Sequence, residues 1–541
     1  MSILGKEWVL KNSRLEDRLS QDLDDESVTF HDPFLFKGMN TAIDRIKKAI
    51  ESKERIVVFG DYDVDGISGT AILVHTLREL GATVSYRLPD RQDGYGLNIS
   101  WISEMKDKNV KLFITVDCGI SNAAEVKQAA DFGLDVIVTD HHTIPEVPPT
   151  DAIAILHPAL GYVFPHLSGS GVAFKLAVAL MSKLRGPKEA SIWQTKLVDL
   201  ASLGTVADCV PLVGENRHIT KKGLEQMAKT EWSGLKTLLV KNGITEIHGH
   251  DSDLIGFRLA PRLNAAGRIE TPYFALQLLL NENNTARQLA EKLEQLNKQR
   301  QNFLEEALKK AEERLDRQNL LNNRVLILWD SDWRSGIVGL IAARLSEKHN
   351  RPAIVMEERG DELIASCRSP ENFNLVKALQ SMEDLFETFG GHSAAAGFTL
   401  RVESLTEFID KMEKYAGKHL NEQSLKPTLN IDYKVSLSQI TQSLADQVAT
   451  LAPFGEGNPK PRFVVRNANP ADLQTVGRDH SHLRFKVKSF SAIAFRFGSH
   501  YETLQRALFA SRPVDVVFEL DKNYWKGREQ IQLKVLDLKV N

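Results

Sequence analysis

Short apolar runs alternate with helical patterns in the first half of the chain. The runs Ile56–Phe59, Leu112–Val116 and Val136–Thr139 predict buried strands, and Gly69–Leu80 and Asn122–Phe132 between them predict helices. Runs that are apolar at every position are typical of buried parallel strands. Strands that alternate with helices indicate right-handed crossovers, so we predict a parallel sheet followed by a mostly helical region.

A charged segment without proline or glycine follows, from Asn284 to Gln318. Its apolar residues lie mostly three and four positions apart, which predicts one helix of roughly 50 Å. A coiled-coil dimer is the alternative, but the apolar repeat lasts few heptads and Arg300 interrupts it. We therefore predict a strut within one chain, and a monomer.

The remainder of the chain predicts a second α/β lobe and a small barrel. The lobe contains strand Val325–Leu328, helix Ile337–Lys348, and strands Ala353–Met356 and Leu363–Ser366. Later segments alternate apolar and polar positions, as half-buried strands do: Leu483–Val487, Ala492–Phe497, Val514–Leu520 and Ile531–Val540. About five such strands are typical of an OB-like β barrel, whose face commonly binds single-stranded nucleic acid.

These patterns divide the 541 residues into five predicted regions. They are an N-terminal extension (1–50), a first α/β lobe (51–282), a connecting helix (283–320), a second α/β lobe (321–422) and the OB-like barrel (423–541). The predicted fold class is thus α/β, with two α/β lobes joined by a long helix and an added barrel.

Composition restricts the class of protein. With 42% hydrophobic and 26% charged residues, the chain has the make-up of an ordinary soluble protein. No apolar stretch approaches the roughly 20 residues that span a bilayer, and the charged start of the chain is unlike a signal peptide. Three cysteines, Cys118, Cys209 and Cys367, cannot all pair and lack metal-finger spacing. We therefore expect a cytoplasmic protein without membrane contact.

The net charge of −3 gives no general sign of nucleic-acid binding. Residues 460–541, however, carry 15 lysines and arginines against 8 aspartates and glutamates. Aromatic residues are interleaved with these cations: Phe463, Phe485, Phe495, Phe497, Tyr501, Tyr524 and Trp525. Cations and aromatic rings together bind single strands, although we expect most of these rings to fill the core of the barrel.

Acidic residues and histidines come directly after the predicted strands of the first lobe. They are Asp61, Asp63 and Asp65 in the first loop, Asp117 in the second, Asp140, His141 and His142 in the third, and Asp208 after a predicted helix. Ligands of open α/β sheets bind at the carboxyl ends of the strands, where the strand order reverses. Each pair of like charges ~4 Å apart costs roughly 4 kcal/mol at an effective dielectric of about 20, so this cluster requires cations.

The ligand types indicate which cations and which chemistry. Oxygen mixed with imidazole favours Mn²⁺ or Mg²⁺ over Zn²⁺, and the histidines favour Mn²⁺. Two such ions that share a carboxylate can activate water and stabilise both oxygens of a phosphoryl displacement. A single aspartate after a strand is more often a cap or turn residue. The Asp-x-Asp-x-Asp-Gly spacing also occurs in calcium loops, but Ile72 replaces the glutamate expected near the end of such a loop. We predict two divalent cations and hydrolysis of a phosphate ester.

Five motifs resemble a known family. Asp61-Tyr62-Asp63-Val64-Asp65-Gly66, Val116-Asp117-Cys118-Gly119 and Asp140-His141-His142 resemble the DHH phosphoesterase superfamily. The segments Ala260–Arg268 and Gly390–Gly397 are similar to those of its RecJ family, bacterial single-strand-specific 5′-to-3′ DNA exonucleases. The resemblance extends from about residue 50 to the C-terminus and implies that the two lobes are DHH and DHHA1 domains.

The resemblance also implies roles for individual residues. The metal ligands would be Asp61, Asp63, Asp65, Asp117, His141 and Asp208, with His142 at or beside the metals. The catalytic residues would be Asp117, His141, His142 and His392, whereas Asp140 would orient a neighbour. Substrate contacts would come from a loop with Arg262, Asn264 and Arg268, and from Ser366, Arg368, Gly391 and His392 of the second lobe. Arg334 stands where many relatives carry histidine, so no role is assigned to it.

The implied activity is stepwise hydrolysis of single-stranded DNA to 5′-mononucleotides in DNA repair and recombination. The lobes would enclose a narrow cleft that excludes duplex DNA, and a single-strand-binding protein or a helicase would be a further partner. A DHH enzyme for small substrates is one alternative, but it would need neither the long helix nor the basic barrel. A non-catalytic scaffold is another, but it would be expected to have lost ligands that this chain retains.

Overall fold

The computed structural model describes residues 2–11, 15–19, 29–90, 96–249, 251–477, 479–525 and 528–541, without the side chains of 523–529. The rings of Tyr524 and Trp525, predicted as barrel aromatics, therefore lie outside the described part. The chain forms two compact units. The first unit holds 27–305 and the short segment 453–459, and the second unit holds 1–26, 306–452 and 460–541.

The strands and the helices are each numbered in chain order. The strands are β1 (Glu7–Leu10), β2 (Arg55–Gly60), β3 (Thr83–Arg87), β4 (Val110–Val116), β5 (Asp135–Thr139), β6 (Ala154–Leu156), β7 (Leu326–Asp330), β8 (Ala353–Arg359), β9 (Glu362–Arg368), β10 (Phe386–Gly391), β11 (Ala395–Arg401), β12 (Thr428–Ile431), β13 (Tyr433–Lys434), β14 (Arg462–Ala468), β15 (Pro470–Val476), β16 (His482–Val487), β17 (Phe490–Ala494), β18 (Val514–Trp525) and β19 (Arg528–Val540). The α-helices are α1 (Met39–Glu51), α2 (Val64–Glu79), α3 (Ile99–Asp107), α4 (Ala123–Asp131), α5 (Gly169–Arg185), α6 (Pro187–Ala207), α7 (Gly214–Met227), α8 (Ser233–Lys241), α9 (Ala260–Ile269), α10 (Tyr273–Leu280), α11 (Asn283–Arg317), α12 (Ser335–His349), α13 (Leu375–Gln380), α14 (Leu405–His419), α15 (Gln442–Thr450) and α16 (Tyr501–Phe509).

The first unit is built on a five-stranded parallel sheet, which confirms the predicted sheet. Its strand order is β3-β2-β4-β5-β6, so the chain first moves to one side of β2 and then crosses to the other side. The order reverses between β2 and β4. Ligands of doubly wound sheets bind at such a reversal, outside the carboxyl ends of the strands.

Helices cover both faces of this sheet. Along β2, Ile56 and Val58 pack in a core with α1, α2 and α5, whereas Val57 and Phe59 pack in a second core with α3 and α4. Successive residues of a strand point to opposite faces, so two covered faces require apolar residues at every position. This is why the strands appear in the sequence as continuous apolar runs.

The first fifty residues, predicted as one extension, contribute to both units. α1 buries Met39 and Ile46 in the core of the first unit. β1 instead pairs in parallel with β12 in the second unit. The compact units divide the chain inside α11, and the five predicted domain boundaries stay a prediction.

α11 confirms the predicted long helix and begins and ends one residue earlier than predicted. Leu293 and Leu296 of its first half pack in the core of the first unit. Ala311 and Leu315 are buried in its second half. Among the described helices, none has the length and apolar character needed to cross a bilayer.

The second unit contains a mixed five-stranded sheet with the order β10-β11-β9-β8-β7. β7 and β8 are parallel, and the other neighbours are antiparallel. One side of the sheet packs on α14 through Phe398, Phe408 and Met412. Together with the first sheet, this confirms the predicted α/β fold of two lobes joined by a long helix.

The barrel of the second unit has more strands than predicted. Its described residues form a seven-stranded sheet with the order β13-β14-β18-β19-β17-β16-β15. β14 and β15 were not predicted because irregular pairing interrupts both strands, with left-handed backbone at Asn467 and Asp472. A bulge of this kind breaks the two-residue period. The strand predicted to reach Phe497 ends at Ala494, because Arg496 also adopts a left-handed conformation, with φ of 65°.

His75 gives the first unit a pH-dependent stability. Its Nε2 lies 3.0 Å from the carbonyl oxygen of Leu279, and burial lowers the pKa of His75 from 6.5 to about 4. The unfolded chain takes up this proton first, so His75 costs no stability above pH 6.5 and a growing amount as the pH falls toward 4. We expect the free energy of unfolding to fall by at most about 3 kcal/mol from this residue.

Denaturant unfolding of the full chain between about pH 7 and about pH 4.5 measures this effect. The variant His75→Gln keeps an N–H donor for the Leu279 carbonyl but cannot take up a proton, so its stability should fall less than that of the unmodified chain. The exposed His419 serves as a control, because His419→Gln should leave the pH dependence unchanged. Identical pH profiles for His75→Gln and the unmodified chain would contradict the assignment.

Candidate metal centre

The first acidic loop joins β2 to α2 at the reversal point of the sheet. Asp63 caps α2, and its Oδ1 accepts hydrogen bonds from the backbone N–H groups of Asp65 at 2.9 Å and Gly66 at 3.2 Å. Asp61 and Asp65 are buried. A Cβ at Gly66 would lie 2.6 Å from the backbone nitrogen of Asp61. The loop therefore folds back this tightly only because residue 66 is glycine.

The N-terminus of α5 holds Asp65 in place. The Asp65 carboxylate accepts hydrogen bonds from the N–H groups of Gly169 at 2.6 Å and Ser170 at 2.9 Å. These bonds and the positive end of the helix dipole stabilise its ionised form. A Cβ at Gly169 would lie 2.5 Å from the Cβ of Asp117, and one at Gly204 would overlap Oδ1 of Asp65. Glycine at both positions thus lets α5 and α6 approach the acidic loops.

Asp117 follows β4 in a left-handed backbone conformation, with φ of 61°. Aspartate adopts this conformation more readily than most residues. The N–H of Asp117 donates to the carbonyl oxygen of Thr139 at 3.0 Å, which ties this turn to the end of β5. Its side chain is buried and follows β4, one of the two strands between which the order reverses.

Asp140 orients the ring of His142. Its buried carboxylate accepts hydrogen bonds from the N–H of Ile120 at 2.9 Å and from Nδ1 of His142 at 2.8 Å. Burial opposes the imidazolium form, but the Asp140 carboxylate outweighs it and raises the pKa of His142 to about 9. Nε2 of His157 lies 2.8 Å from the carbonyl oxygen of His142 and holds the backbone there. The ring of His142 is therefore held by Asp140, and its backbone by His157.

These loops bring all the predicted metal ligands together. Nε2 of His141 lies 3.1 Å from Oδ1 of Asp117, 3.5 Å from Oδ2 of Asp208 and 3.7 Å from Oδ2 of Asp65. Three overlapping groups have ligand atoms within 4.8 Å of one another: Asp61, Asp63 and Asp117; Asp65, His141 and Asp208; and Asp117, His141 and His142. Asp117 and His141 each belong to two groups, as residues between two ions would.

The charges of this cluster are unfavourable without a cation. Burial and repulsion by Asp65 raise the pKa of Asp117 well above its usual value. The same two causes raise the pKa of Asp208 to about 9 and raise that of Asp63. A divalent cation among these oxygens would remove the repulsion and favour the ionised carboxylates. Carboxylate oxygens with imidazole fit hard divalent ions such as Mn²⁺ and Mg²⁺.

Arg262, Asn264 and Arg268 lie on a helix, α9, and not on the loop that we predicted. The loop was implied by the family resemblance, but Pro261 occupies the first turn of α9, where proline is tolerated. A π-helical turn, Leu254–Leu259, leads directly into α9. Such turns are frequent at functional sites.

α9 borders the first acidic loop. A Cβ at Gly267 would lie 3.3 Å from the carbonyl oxygen of Tyr62, between two of the predicted ligands. Arg262 is engaged by the protein: its Nε donates to Oε2 of Glu294 at 2.6 Å, and one of its terminal N–H groups donates to the carbonyl oxygen of Arg258 at 2.7 Å. The structure therefore places α9 beside the cluster and anchors Arg262 to α11.

The remaining predicted substrate residues belong to the second unit. Ser366 and Arg368 lie on β9, and the Arg368 guanidinium donates to Oγ of Ser366 at 3.3 Å. A Cβ at Gly339, near the N-terminus of α12, would lie 2.9 Å from this Oγ. Gly391 ends β10 with φ of 137°, and the exposed His392 follows it. β9, α12 and this hairpin thus present the four predicted residues on one unit.

Sequence reasoning missed the residues that position the ligands. A serine before small residues, Ser168-Gly169-Ser170-Gly171, is a signal for a helix N-terminus, and Ser168 does cap α5. Nothing in the sequence indicates that this N-terminus would meet Asp65. His157 carries no local signal for its contact with His142.

Three domain families match successive parts of the chain. They are the DHH family N-terminal domain at residues 55–205, the DHHA1 domain at 322–418 and the RecJ OB domain at 431–537. Their order along the chain agrees with the two lobes and the barrel of the structure.

Individual relatives match over nearly the whole chain. The single-stranded-DNA-specific exonuclease RecJ of Bacillus subtilis (strain 168) is 38% identical over 525 residues, which cover 95% of this chain and 65% of that protein. This chain thus spans slightly less than two thirds of that relative. Crystal structures of RecJ from Thermus thermophilus with Mn²⁺ and with Mg²⁺ have TM-scores of 0.80 and 0.74 and identities of 31% and 29%. Each covers 98% of this chain, and the chain covers 79% and 78% of theirs. The chain therefore belongs to the RecJ family of the DHH phosphoesterases, as its motifs predicted.

Proposed function

We propose that the chain is a metal-dependent exonuclease that degrades single-stranded DNA from the 5′ end to 5′-mononucleotides in DNA repair and recombination. The observation that carries this proposal is the set of overlapping ligand groups that share Asp117 and His141 at the reversal point of the sheet. The name of the Bacillus subtilis relative supports the substrate. So does the match of residues 431–537 to the RecJ OB domain.

Two divalent cations, Mn²⁺ in preference to Mg²⁺, fit this site. The residues that would hold them are Asp61, Asp63, Asp65, Asp117, His141 and Asp208. The ions supply activation of water and stabilisation of the charge that develops at the phosphate. The protein holds the ligands in place: α5 fixes Asp65 through two N–H groups. Asp140 bonds Nδ1 of His142 and so orients the ring toward the cluster.

Substrate contacts come from the predicted residues of both units. They are Arg262, Asn264, Arg268, Ser366, Arg368, Gly391 and His392, with His392 acting at the scissile phosphate. Two features support phosphate binding at Ser366 and Arg368. The Arg368 guanidinium supplies a positive charge, and the first turns of α12 pass close to Ser366 at Gly339. The φ of Gly391 leaves the backbone accessible beside His392. Arg262 would have to exchange Glu294 for a phosphate.

A single-strand-binding protein or a helicase would deliver the DNA, and the chain would act as a monomer in the cytoplasm. The proposed substrate is what supports these partners, because helicases generate single strands and single-strand-binding proteins coat them.

A DHH enzyme for small substrates is the alternative. α11 and the match of residues 431–537 to the RecJ OB domain argue against it, since a small substrate needs neither. A scaffold without catalysis is disfavoured by the ligand cluster, whose predicted members all lie together.

Asp117→Asn should abolish hydrolysis while the chain stays folded. Asparagine fits the left-handed backbone as well as aspartate does, and it removes a buried charge that the other carboxylates repel. Without metal, the variant should therefore melt at the same or a higher temperature. Saturating Mn²⁺ should stabilise the unmodified chain, by about 2.7 kcal/mol at 100 times the dissociation constant, and stabilise the variant much less.

Thermal melts and hydrolysis with increasing Mn²⁺ measure both effects. Asp151→Asn is the matched control, because Asp151 is an exposed carboxylate of the same unit. It should behave like the unmodified chain. Turnover by Asp117→Asn close to that of the control would remove Asp117 from the mechanism.

The polarity follows from the order in which end labels are released. A 5′-labelled single strand should give labelled mononucleotide at the earliest time point, and a 3′ label should stay on long, shrinking products. Arg368→Gln should slow release roughly tenfold or more, because a charge-assisted bond to a phosphate is lost. Arg359→Gln, at an exposed arginine on the neighbouring strand, should not. Early release of the 3′ label would overturn the proposed polarity.

A further inference from the structure

A basic groove crosses the second unit where segments from distant parts of the chain meet. It has a volume of about 500 Å³ and is bounded by the N-terminal segment, α11, α12 and the end of β17. Five cationic side chains line it, against two carboxylates: Lys6, Lys309, Arg344, Lys348 and Arg496, with Glu312 and Glu347. Leu4 and Leu308 complete its walls.

The two carboxylates of this groove are already neutralised. Glu347 pairs with Arg344 at 3.0 Å, and Glu312 pairs with Lys348 at 2.9 Å. Among the residues that the structure describes, no carboxylate lies within ion-pairing distance of Lys6, Lys309 or Arg496. Three cations therefore face the groove without a counter-charge from the described chain, which favours an anionic ligand.

The N-terminal segment is fixed against the barrel, so Lys6 has a defined place. Nε1 of Trp8 donates to Oδ2 of the buried Asp537 at 2.8 Å. The N–H of Ile3 donates to the carbonyl oxygen of Leu538 at 2.7 Å. Lys6 lies between these two anchors. The groove is thus formed by side chains on a fixed backbone.

An exposed aromatic ring lies next to Arg496. Phe495 is 51% exposed, and its ring is 5.3 Å from that of His482. Nδ1 of His482 also accepts the N–H of Arg496 at 3.1 Å. This bond supports the left-handed backbone of Arg496, with φ of 65°, a conformation that is rare outside glycine and concentrated at functional sites. The turn therefore presents a cation and a ring side by side.

We propose that this groove, with Phe495, binds a stretch of single-stranded nucleic acid through its phosphates and one stacked base. Cations that follow a backbone beside an exposed ring are what a single strand requires. An acidic peptide would use the cations but not the ring. The proposal rests on the proposed function in that the bound strand is the substrate, and it assigns DNA contacts to the N-terminal segment and to two helices outside the barrel.

Two variants of the full chain test the two kinds of contact separately. Lys6→Ala/Lys309→Ala/Arg496→Ala should weaken binding to long single strands and reduce the slope of log affinity against log salt by roughly 2, at about 0.7 for each lost phosphate contact. Phe495→Ala should weaken binding about tenfold with the slope unchanged, since stacking releases no counterions. Phe495→Trp should restore the affinity. Fluorescence anisotropy with labelled oligonucleotides at several salt concentrations measures all three.

A matched control separates the groove from general charge effects. Lys414→Ala/Lys418→Ala/Lys426→Ala removes three exposed lysines of the same unit and should change neither affinity nor slope. If this control weakens binding as much as the groove variant does, the groove is not a site. If the groove variant loses only a labelled polyaspartate peptide and keeps DNA, the ligand is an acidic protein and the proposal is wrong.

Hydrolysis of very short strands distinguishes this proposal from the proposed function. The groove residues include none of the proposed metal ligands, so the groove variant should cleave very short strands at the normal rate with Mn²⁺. Normal cleavage with unchanged binding of long strands would overturn the groove alone. Absence of cleavage by the unmodified chain would overturn the proposed function instead.

Discussion

Repulsion between buried carboxylates is the constraint on which the first unit depends. Asp61, Asp65 and Asp117 are buried, and the loops that carry them end neighbouring strands of one sheet. Burial and the repulsion between like charges both disfavour the ionised form of these carboxylates. The fold offsets part of this cost with the N-terminus of α5, which donates two N–H groups to Asp65. The remainder is left for divalent cations to offset.

This constraint explains why small residues surround the cluster. Gly66, Gly169 and Gly204 each lie where a Cβ would collide with a ligand or with the backbone of the acidic loop. Their role is to let three helices approach the carboxylates closely. α5 contains no acidic residue, and α6 contributes one predicted ligand, Asp208, directly after its last residue. α5 therefore acts on the cluster through its backbone N–H groups, and α6 acts through its close packing at Gly204.

The ligands could be predicted from the sequence because each one follows a strand or helix whose period is clear. A parallel sheet places the ends of its strands at one edge, so spacing alone predicts that Asp63, Asp117 and His141 meet. Contacts between distant segments could not be predicted in this way. The support of Asp65 by α5 and the hold of His157 on His142 depend on tertiary packing. The segment 260–269 was expected to be a loop from the family resemblance, yet it forms a helix. β14 and β15 were not predicted because each contains an irregularity in its pairing. A bulge moves the residues that follow it to the other face of the sheet, which interrupts the alternation of apolar and polar positions.

The pairing of β1 with β12 has a consequence for the order in which the protein is made. Glu7 is the partner of Thr428 in this pair. β12 is therefore synthesised hundreds of residues after β1. The whole first unit, 27–305, is complete in the meantime apart from the segment 453–459. At about 5–20 residues per second, synthesis leaves β1 unpaired for tens of seconds. An unpaired strand edge is a template for wrong pairing. The second unit can therefore close only after β19 has been synthesised, and β1 is exposed to wrong pairing until β12 is available.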